Sequence, residues 1–312
     1  MYIKTLNNIK LVFVGDINSI NLEIISKSHS YLANKKIKYV LLGNINEITN
    51  YFKKINFHQD FIEVFSLDDL KYIKNSKICI FDLDTDLTNK SKNIINQLKI
   101  SNNLSKVFSS NLVTMPINKS IIKKKYDFNG VTEFLENINN KKTYMLMRGE
   151  NFSIIPITTH IKFKDVLKYF NKNKFYNDLN EIISILNQNK LKLKYNEIII
   201  LGINPHAGEK GTLGNEEIVI QKIIKKIQYK TKLKITGPLP ADSAFKKINK
   251  KQLFISFYHD QALIPFKILN KFSINNTIGL SFNRFSPSHG TAENIIFKNK
   301  ADNTSYLECM LS

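Results

Sequence analysis

Short apolar, largely β-branched runs recur along this chain, and between them the apolar positions spread out to helical spacing. Leu11-Val12-Phe13-Val14, Lys38-Tyr39-Val40-Leu41-Leu42 and Lys77-Ile78-Cys79-Ile80-Phe81 are followed by a polar turn, by Gly43 and by Asp82. Runs of this length without alternation predict strands buried on both faces, as in a parallel sheet covered by helices. Asn21 to Ser26 has a helical pattern, and the Asn-rich stretch 86–106 reads as helix plus loops. Tyr126-Asp127-Phe128-Asn129-Gly130 breaks the rhythm and suggests a domain crossing, after which Thr132-Glu133-Phe134-Leu135 opens a short helix. Residues 143–147 and 153–158 read as paired strands around a turn at Gly149, and 162–187 as a helical region. Glu197-Ile198-Ile199-Ile200-Leu201-Gly202 and Leu253-Phe254-Ile255-Ser256-Phe257-Tyr258 are further buried strands. Between them a helix runs from 215 to 227, with Asn215 placed to cap it and Glu216 and Glu217 at its positive end. Strands alternating with helices give an α/β fold.

At 312 residues the chain is long enough for one core to divide into two. No apolar run approaches the roughly 20 residues that span a bilayer, and the first residues lack a signal-peptide pattern. With 2 cysteines, no disulfide framework is expected, so the expected setting is cytoplasmic, away from any membrane. The formal charge of +20 raises the question of a polyanionic partner. The lysines, however, are dispersed through almost every segment apart from Lys123-Lys124-Lys125, and Arg is scarce. Lys, Asn and Ile are abundant together, the mark of A/T-rich codons. No specific nucleic-acid partner is expected; a modest positive field still favours a small anionic substrate.

The chemistry concentrates around three of the 6 histidines. His160 ends Pro156-Ile157-Thr158-Thr159-His160, and His206 lies in Asn204-Pro205-His206-Ala207-Gly208-Glu209-Lys210-Gly211. His259 lies in Tyr258-His259-Asp260-Gln261, where Asp260 is placed to orient a ring. Each follows a strand-like run, and strand ends of α/β sheets are where ligand sites assemble. Their separations exclude a zinc-finger arrangement, so a shared site must be tertiary. Imidazoles without thiolates suit Zn²⁺, Co²⁺ or Ni²⁺, whereas Mg²⁺ favours oxygen ligands. The glycines at 208, 211 and 214 permit close backbone approach ahead of a helix start, yet neither the Walker A nor the dinucleotide fingerprint spacing is present.

Gly237-Pro238-Leu239-Pro240-Ala241-Asp242 reads as a rigid loop entering a helix, with Asp242 either capping that helix or orienting a metal-bound imidazole. Lys267, Asn275 and Arg284 lie in an acid-poor region and offer the donors an anionic substrate needs. Pro287-Ser288-His289-Gly290-Thr291-Ala292 is a compact turn able to hold a nucleotide base or ribose.

Taken in order, Gly-Val-Thr-Glu-Phe-Leu (130–135), Thr-Thr-His (158–160), Asn-Pro-His-Ala-Gly-Glu (204–209), Gly-Pro-Leu-Pro-Ala-Asp (237–242), Tyr-His-Asp-Gln (258–261) and His-Gly-Thr-Ala (289–292) resemble the 4-hydroxythreonine-4-phosphate dehydrogenase family, NAD(P)-dependent enzymes of pyridoxal 5′-phosphate biosynthesis. The likeness covers most of the chain from about residue 126 and, more faintly, the N-terminal third. It implies two α/β/α domains with a cleft between them, similar to isocitrate and isopropylmalate dehydrogenases. The expected division is 1–125 with 286–312 as one domain, and 126–285 as a second that carries the metal and substrate site and the interface of a homodimer. The resemblance assigns the metal to His160, His206 and His259, one of them reaching in from the partner subunit, with one divalent ion (zinc, cobalt or magnesium) per subunit. It assigns the small phosphorylated substrate to Thr132, Lys267, Asn275 and Arg284. NAD or NADP is expected beside His289, Gly290, Thr291 and Ala292. The catalytic base is not assigned; Asp242 and Lys267 are candidates.

Two positions depart from the family pattern. Where the family carries a histidine just before Thr-Glu-Phe-Leu, this chain has Val131, which can neither hydrogen-bond nor carry charge. Losing one hydrogen bond to a charged group costs on the order of 1.5–3 kcal/mol. The family's Gly- and Pro-rich N-terminal turn here reads Gly15-Asp16-Ile17-Asn18-Ser19-Ile20-Asn21-Leu22-Glu23. The resemblance implies oxidation of 4-phosphooxy-L-threonine. The alternatives are a dehydrogenase of four-carbon sugar-acid 4-phosphates such as threonate or erythronate, or a weakly active decayed homologue.

Overall fold

A computed structural model describes residues 9–66, 77–83, 89–123, 128–188 and 193–312. Lys124, Lys125, Tyr126, Asp127, the start of the 86–106 stretch and the first residues of the chain lie outside them. The chain divides by contact into two compact units: Met1–Lys141 with Leu280–Ser312, and Lys142–Gly279. The sequence reading put the crossings at 126 and 286. The segment from 128 onward belongs by packing to the first unit, because Phe128 and Leu135 are buried in the same cluster as Leu11, Phe13 and Val40, with Val131 and Phe134 packed against it.

The first unit contains β1 (Ile9–Phe13), β2 (Lys38–Gly43), β3 (Phe61–Val64), β4 (Ile78–Asp82), β5 (Leu112–Thr114) and, on the returning chain, β12 (Arg284–Pro287). Their order is β3-β4-β2-β1-β5-β12, all pairs parallel. Consecutive residues Leu11, Val12 and Phe13 are all buried, as are Val40, Leu41 and Leu42. Both faces of these strands are therefore covered, which is why they lack alternation. The Asn-rich stretch is one continuous helix, Lys90–Phe108, opened by the Asn89 side chain accepting from the Lys92 N–H at 3.2 Å. Its inner face combines Ile94, Ile95 and Leu98 with buried Asn93, Gln97, Ser101 and Asn102. The Ser101 hydroxyl donates to the Gln97 backbone carbonyl at 2.7 Å, and Asn139 Nδ2 donates to Asn102 Oδ1 at 2.7 Å, so the Ser101 hydroxyl and the Asn102 side-chain oxygen are satisfied inside.

The second unit contains β6 (Tyr144–Gly149), β7 (Ser153–Pro156), β8 (Glu197–Leu201), β9 (Ile235–Leu239), β10 (Gln252–Ser256) and β11 (Ser273–Ile278), in the order β11-β6-β7-β10-β8-β9. β6 and β7 form the antiparallel pair read around Gly149, and β11 adds antiparallel to β6. β7, β10, β8 and β9 are parallel neighbours. Two clusters cover the sheet faces, one around Phe175, Ile182, Ile200, Ile223 and Ile255, the other around Phe152, Ile154, Phe254 and Phe266. Gly237-Pro238-Leu239 is part of β9 rather than loop. Among the described residues no helix is long and apolar enough to cross a membrane.

Candidate active site

Four parallel strands leave the second sheet on the same edge, and each of the loops beyond them carries a residue singled out from sequence. His160 follows β7, His259 follows β10, His206 follows β8 and Asp242 follows β9. The turn after β7 is tied to the one after β10, with the Ile157 N–H donating to the Ser256 carbonyl at 2.8 Å and the Thr158 hydroxyl to the Phe257 carbonyl. The His160 and His259 rings come within 5.7 Å, centroid to centroid, inclined by 38°. Gln261 joins the His259 turn to the His206 segment. Its Oε1 accepts from the Phe257 N–H at 3.1 Å and its Nε2 donates to the Gly202 carbonyl at 2.8 Å.

His259 is the first residue of the helix His259–Leu269, and its Nδ1 lies 2.9 Å from Asp260 Oδ1. The Tyr258 hydroxyl donates to Asp260 Oδ2 at 3.1 Å. Hydrogen bonds from His259 and then Tyr258 hold the Asp260 carboxyl below the usual carboxylate range.

His206 is exposed, on a loop whose backbone stays left-handed from His206 to Lys210, with φ of 51°, 53°, 75°, 43° and 59°. A left-handed helical conformation costs a non-glycine residue roughly 1–2 kcal/mol, so the loop must be held from outside. Glu217 does this from the following helix, Glu216–Thr231. Its Oε1 accepts from the Ile203 N–H at 2.9 Å and the Asn204 N–H at 2.7 Å, while its Oε2 accepts from Asn204 Nδ2 at 3.0 Å. Gly208 is the glycine of this run, and a Cβ there would sit 2.5 Å from Glu217 Oε2. Asn215 stands at the helix start without a side-chain cap hydrogen bond, contrary to the cap expected of it; the nearby acidic side chains turn instead to the loop. Asp242 is likewise no cap: the helix Ala241–Ala244 starts after Pro240, and Asp242 is exposed in its first turn.

Among the described residues of one chain, no three His, Cys, Asp or Glu side chains are arranged to hold a metal ion. The chain brings His160 and His259 together and leaves His206 outside that pair. Lys267 is exposed on the helix that His259 opens, and Asn275 is on β11 with its Oδ1 buried and without a hydrogen-bond partner.

In the first unit, Arg284 is 3% exposed at the start of β12. Its Nε donates to Thr114 Oγ1 at 2.8 Å, and its Nη1 to Thr132 Oγ1 at 3.4 Å. Burial draws the guanidinium down to about 10, which leaves it charged at neutral pH. Two expected substrate residues, Thr132 and Arg284, thus meet. Thr114 joins them, a residue missed from sequence because the strand that places it is only Leu112–Thr114.

His289 Nδ1 lies 2.9 Å from the Gly290 carbonyl, and its Nε2 is buried without a hydrogen-bond partner. Burial lowers its pKa from the ordinary 6.5. The Thr291 carbonyl accepts from the Ile20 N–H at 3.1 Å, so this turn is pinned to the N-terminal turn. In that turn Gly15 has φ +72°, and a Cβ would lie 2.4 Å from the Pro116 carbonyl oxygen. Asn21 is buried, its Nδ2 donating to the Val14 and Pro116 carbonyls at 2.9 and 2.8 Å.

Comparison with known proteins decides the family. Residues 23–311 match the family described as pyridoxal phosphate biosynthetic protein PdxA. This chain belongs to the PdxA family. It is 32% identical over 307 residues to a 4-hydroxythreonine-4-phosphate dehydrogenase of Sulfurihydrogenibium sp., covering 96% of this chain and 95% of that protein. With the Aquifex aeolicus protein of the same name, identity is 42% over 205 residues, covering 64% of this chain and 62% of that protein. The fold matches the crystal structure of 4-hydroxythreonine-4-phosphate dehydrogenase from Klebsiella pneumoniae with a TM-score of 0.80, covering 97% of this chain and 98% of that chain at 24% identity. Family membership makes the chain an α/β oxidoreductase of the pyridoxal phosphate pathway.

A PdxA-family dehydrogenase needs a hydride acceptor, and the residues present fit a dinucleotide and a divalent ion. The buried, unpartnered His289 Nε2 awaits a polar group. The paired imidazoles of His160 and His259, with no thiolate beside them, are a donor set for Zn²⁺ or Co²⁺.

Proposed function

We propose that this chain oxidises 4-phosphooxy-L-threonine with NAD or NADP and a divalent metal, giving a 2-amino-3-oxo acid that decarboxylates to 3-amino-2-oxopropyl phosphate. The observation that carries the reading is the approach of His160 to His259 at the ends of neighbouring parallel strands, in a chain whose near-full-length relative bears the dehydrogenase name. His160, His206 and His259 would hold a divalent ion, which would supply Lewis acidity to the substrate hydroxyl, and a nicotinamide dinucleotide beside His289 would supply the hydride acceptor.

The chain's own groups bind and orient. Arg284, charged and fixed by Thr114, presents with Thr132 a cation and a hydroxyl to an anionic substrate. The family resemblance assigns Lys267 and Asn275 to the same substrate. Holding the reacting groups in place contributes several kcal/mol in such reactions. The hydroxyl proton leaves to a base, for which Asp242 and Lys267, both exposed, are the candidates. The product is a β-keto acid, whose carboxylate is lost readily because the adjacent carbonyl accepts the electron pair.

The third imidazole, His206, belongs in this reading to a site completed by a second subunit. Its exposed position and its absence from the pair within one chain support that arrangement. A homodimer is further supported by the exposed Ile264 and Ile268 on the helix that starts at His259.

The test is NADH or NADPH production from 4-phosphooxy-L-threonine, beside 4-phospho-threonate and 4-phospho-erythronate, with and without chelator and with His206→Ala. Turnover of the threonine compound that needs metal and His206 is the expected result. Turnover indifferent to both, or confined to the sugar acids, overturns the assignment.

A further inference from the structure

We propose that the Phe297 ring is the platform on which the adenine of the dinucleotide stacks; this rests on the reading above that the turn from His289 to Ala292 holds NAD or NADP. The segment after that turn folds back through two tight turns. One is closed by the Ile295 N–H donating to the Ala292 carbonyl at 3.0 Å, the other by the Lys298 N–H donating to the Ile295 carbonyl at 3.2 Å. In the second, Ile296 has φ −56° and ψ 136°, and Phe297 has φ 61°. These are the angles of a type II turn, whose third residue is ordinarily glycine or asparagine. A bulky aromatic residue in left-handed backbone is an outlier, and such outliers gather where ligands are held.

Core packing does not account for phenylalanine at this position, because the residue is 49% exposed. Its ring meets the Tyr51 ring at 4.9 Å, tilted by 41°, and the ammonium of the exposed Lys54 stands 5.8 Å from its centroid. Tyr51 ties the ring to the cofactor turn. The Tyr51 hydroxyl donates to the Ser19 carbonyl at 2.8 Å, and the next residue, Ile20, donates its N–H to the Thr291 carbonyl at 3.1 Å. A half-open aromatic ring is thereby held on the loop that carries His289, whose buried Nε2 has no hydrogen-bond partner. A flat base needs both features, a surface for its face and a polar group for its edge or its ribose. The nicotinamide has to meet the reacting carbon at the metal-binding imidazoles, which belong to the other unit. Adenine is the base left for this loop.

The experiment is calorimetric titration of the full chain with NADH, with 5′-AMP and with reduced nicotinamide mononucleotide, for wild type, Phe297→Leu, Phe297→Gly, Phe297→Tyr and His289→Ala. Leucine keeps apolar bulk without the aromatic face, glycine suits the turn's backbone, and tyrosine keeps the ring. Phe297→Leu and Phe297→Gly should each bind NADH and 5′-AMP roughly five- to hundredfold more weakly, the range for stacking one base. Their binding of the mononucleotide, which has no adenine, should match wild type. Phe297→Tyr should bind all three as wild type does. If Phe297→Leu binds 5′-AMP as tightly as wild type while His289→Ala loses it, Phe297 is not the platform and the cofactor turn stands. A loss shared equally by the mononucleotide also overturns the platform, since the ring then only supports the loop. If wild type binds neither NADH nor 5′-AMP, or His289→Ala binds both undiminished, the cofactor reading falls and takes this inference with it.

Discussion

Glu217 shows how much of this site depends on a single buried carboxylate. It is 5% exposed and takes hydrogen bonds from two backbone N–H groups and one side chain of the loop leading to His206. Glu217→Gln leaves a neutral amide facing those donors, and a destabilisation of about 1.5–3 kcal/mol is expected, since charged acceptors carry the stronger bonds. Urea unfolding of the two proteins measures it. Gly208→Ala strikes the same contact from the other side and should lower the melting temperature as well. Arg284→Lys removes the planar fork that reaches Thr114 and Thr132 together; kcat/KM is expected to fall about ten- to hundredfold, mostly through KM if the residue binds substrate. His289 gives a pH dependence. Burial lowers its pKa below 6.5, so the unfolded chain binds the proton that the folded chain refuses. The contribution is present above the unfolded value and is lost as pH falls from there through the lower folded value. His289→Gln should show a shallower loss of melting temperature between about pH 7.5 and about pH 5 than wild type.

At the level of elements, side-chain apolarity marked the strands that are buried on both faces, β1, β2, β4, β8 and β10, and through them the sheet edge where the three histidines emerge. It did not mark β5, β11 or β12. β11 reads Ser-Ile-Asn-Asn-Thr-Ile, yet Asn276 and Thr277 are buried because antiparallel pairing with β6, not hydrophobic burial, places them. The helix Lys90–Phe108 was blurred for a related reason: serine and asparagine do on its inner face what leucine usually does. The left-handed backbone at 206–210 was illegible, since Gly208 is flanked by residues that ordinarily avoid it. Caps were only partly legible. Asn215 has the composition of one without the hydrogen bond, whereas Asn44 makes it, accepting from the Glu47 N–H at 3.0 Å at the start of the helix Ile45–Lys54. Asn44→Ala should therefore cost about 1 kcal/mol in denaturant titrations, while Asn215→Ala should cost distinctly less.

For the whole molecule, the decisive question is what covers the helix His259–Leu269. Ile264 is 59% and Ile268 77% exposed, one helical turn apart on the same face. Leu213 and Ile218, 46% and 39% exposed, lie on the segment after His206. Exposed apolar groups that flank a site are the mark of an interface, and fully covering one isoleucine contributes about 1.5–3 kcal/mol. A second copy of the chain would cover them while delivering the imidazole that one chain leaves outside the pair. Ile264→Ser with Ile268→Glu removes that gain and adds a charge that cannot be buried without a partner. The double variant is expected to run as a folded monomer by light scattering, with unchanged far-ultraviolet circular dichroism. On the proposed reading of a site shared by two subunits, its Co²⁺ affinity should drop although no imidazole has been altered. A variant that stays dimeric would place the interface elsewhere, and a monomer that binds Co²⁺ as tightly as wild type would show that one chain suffices.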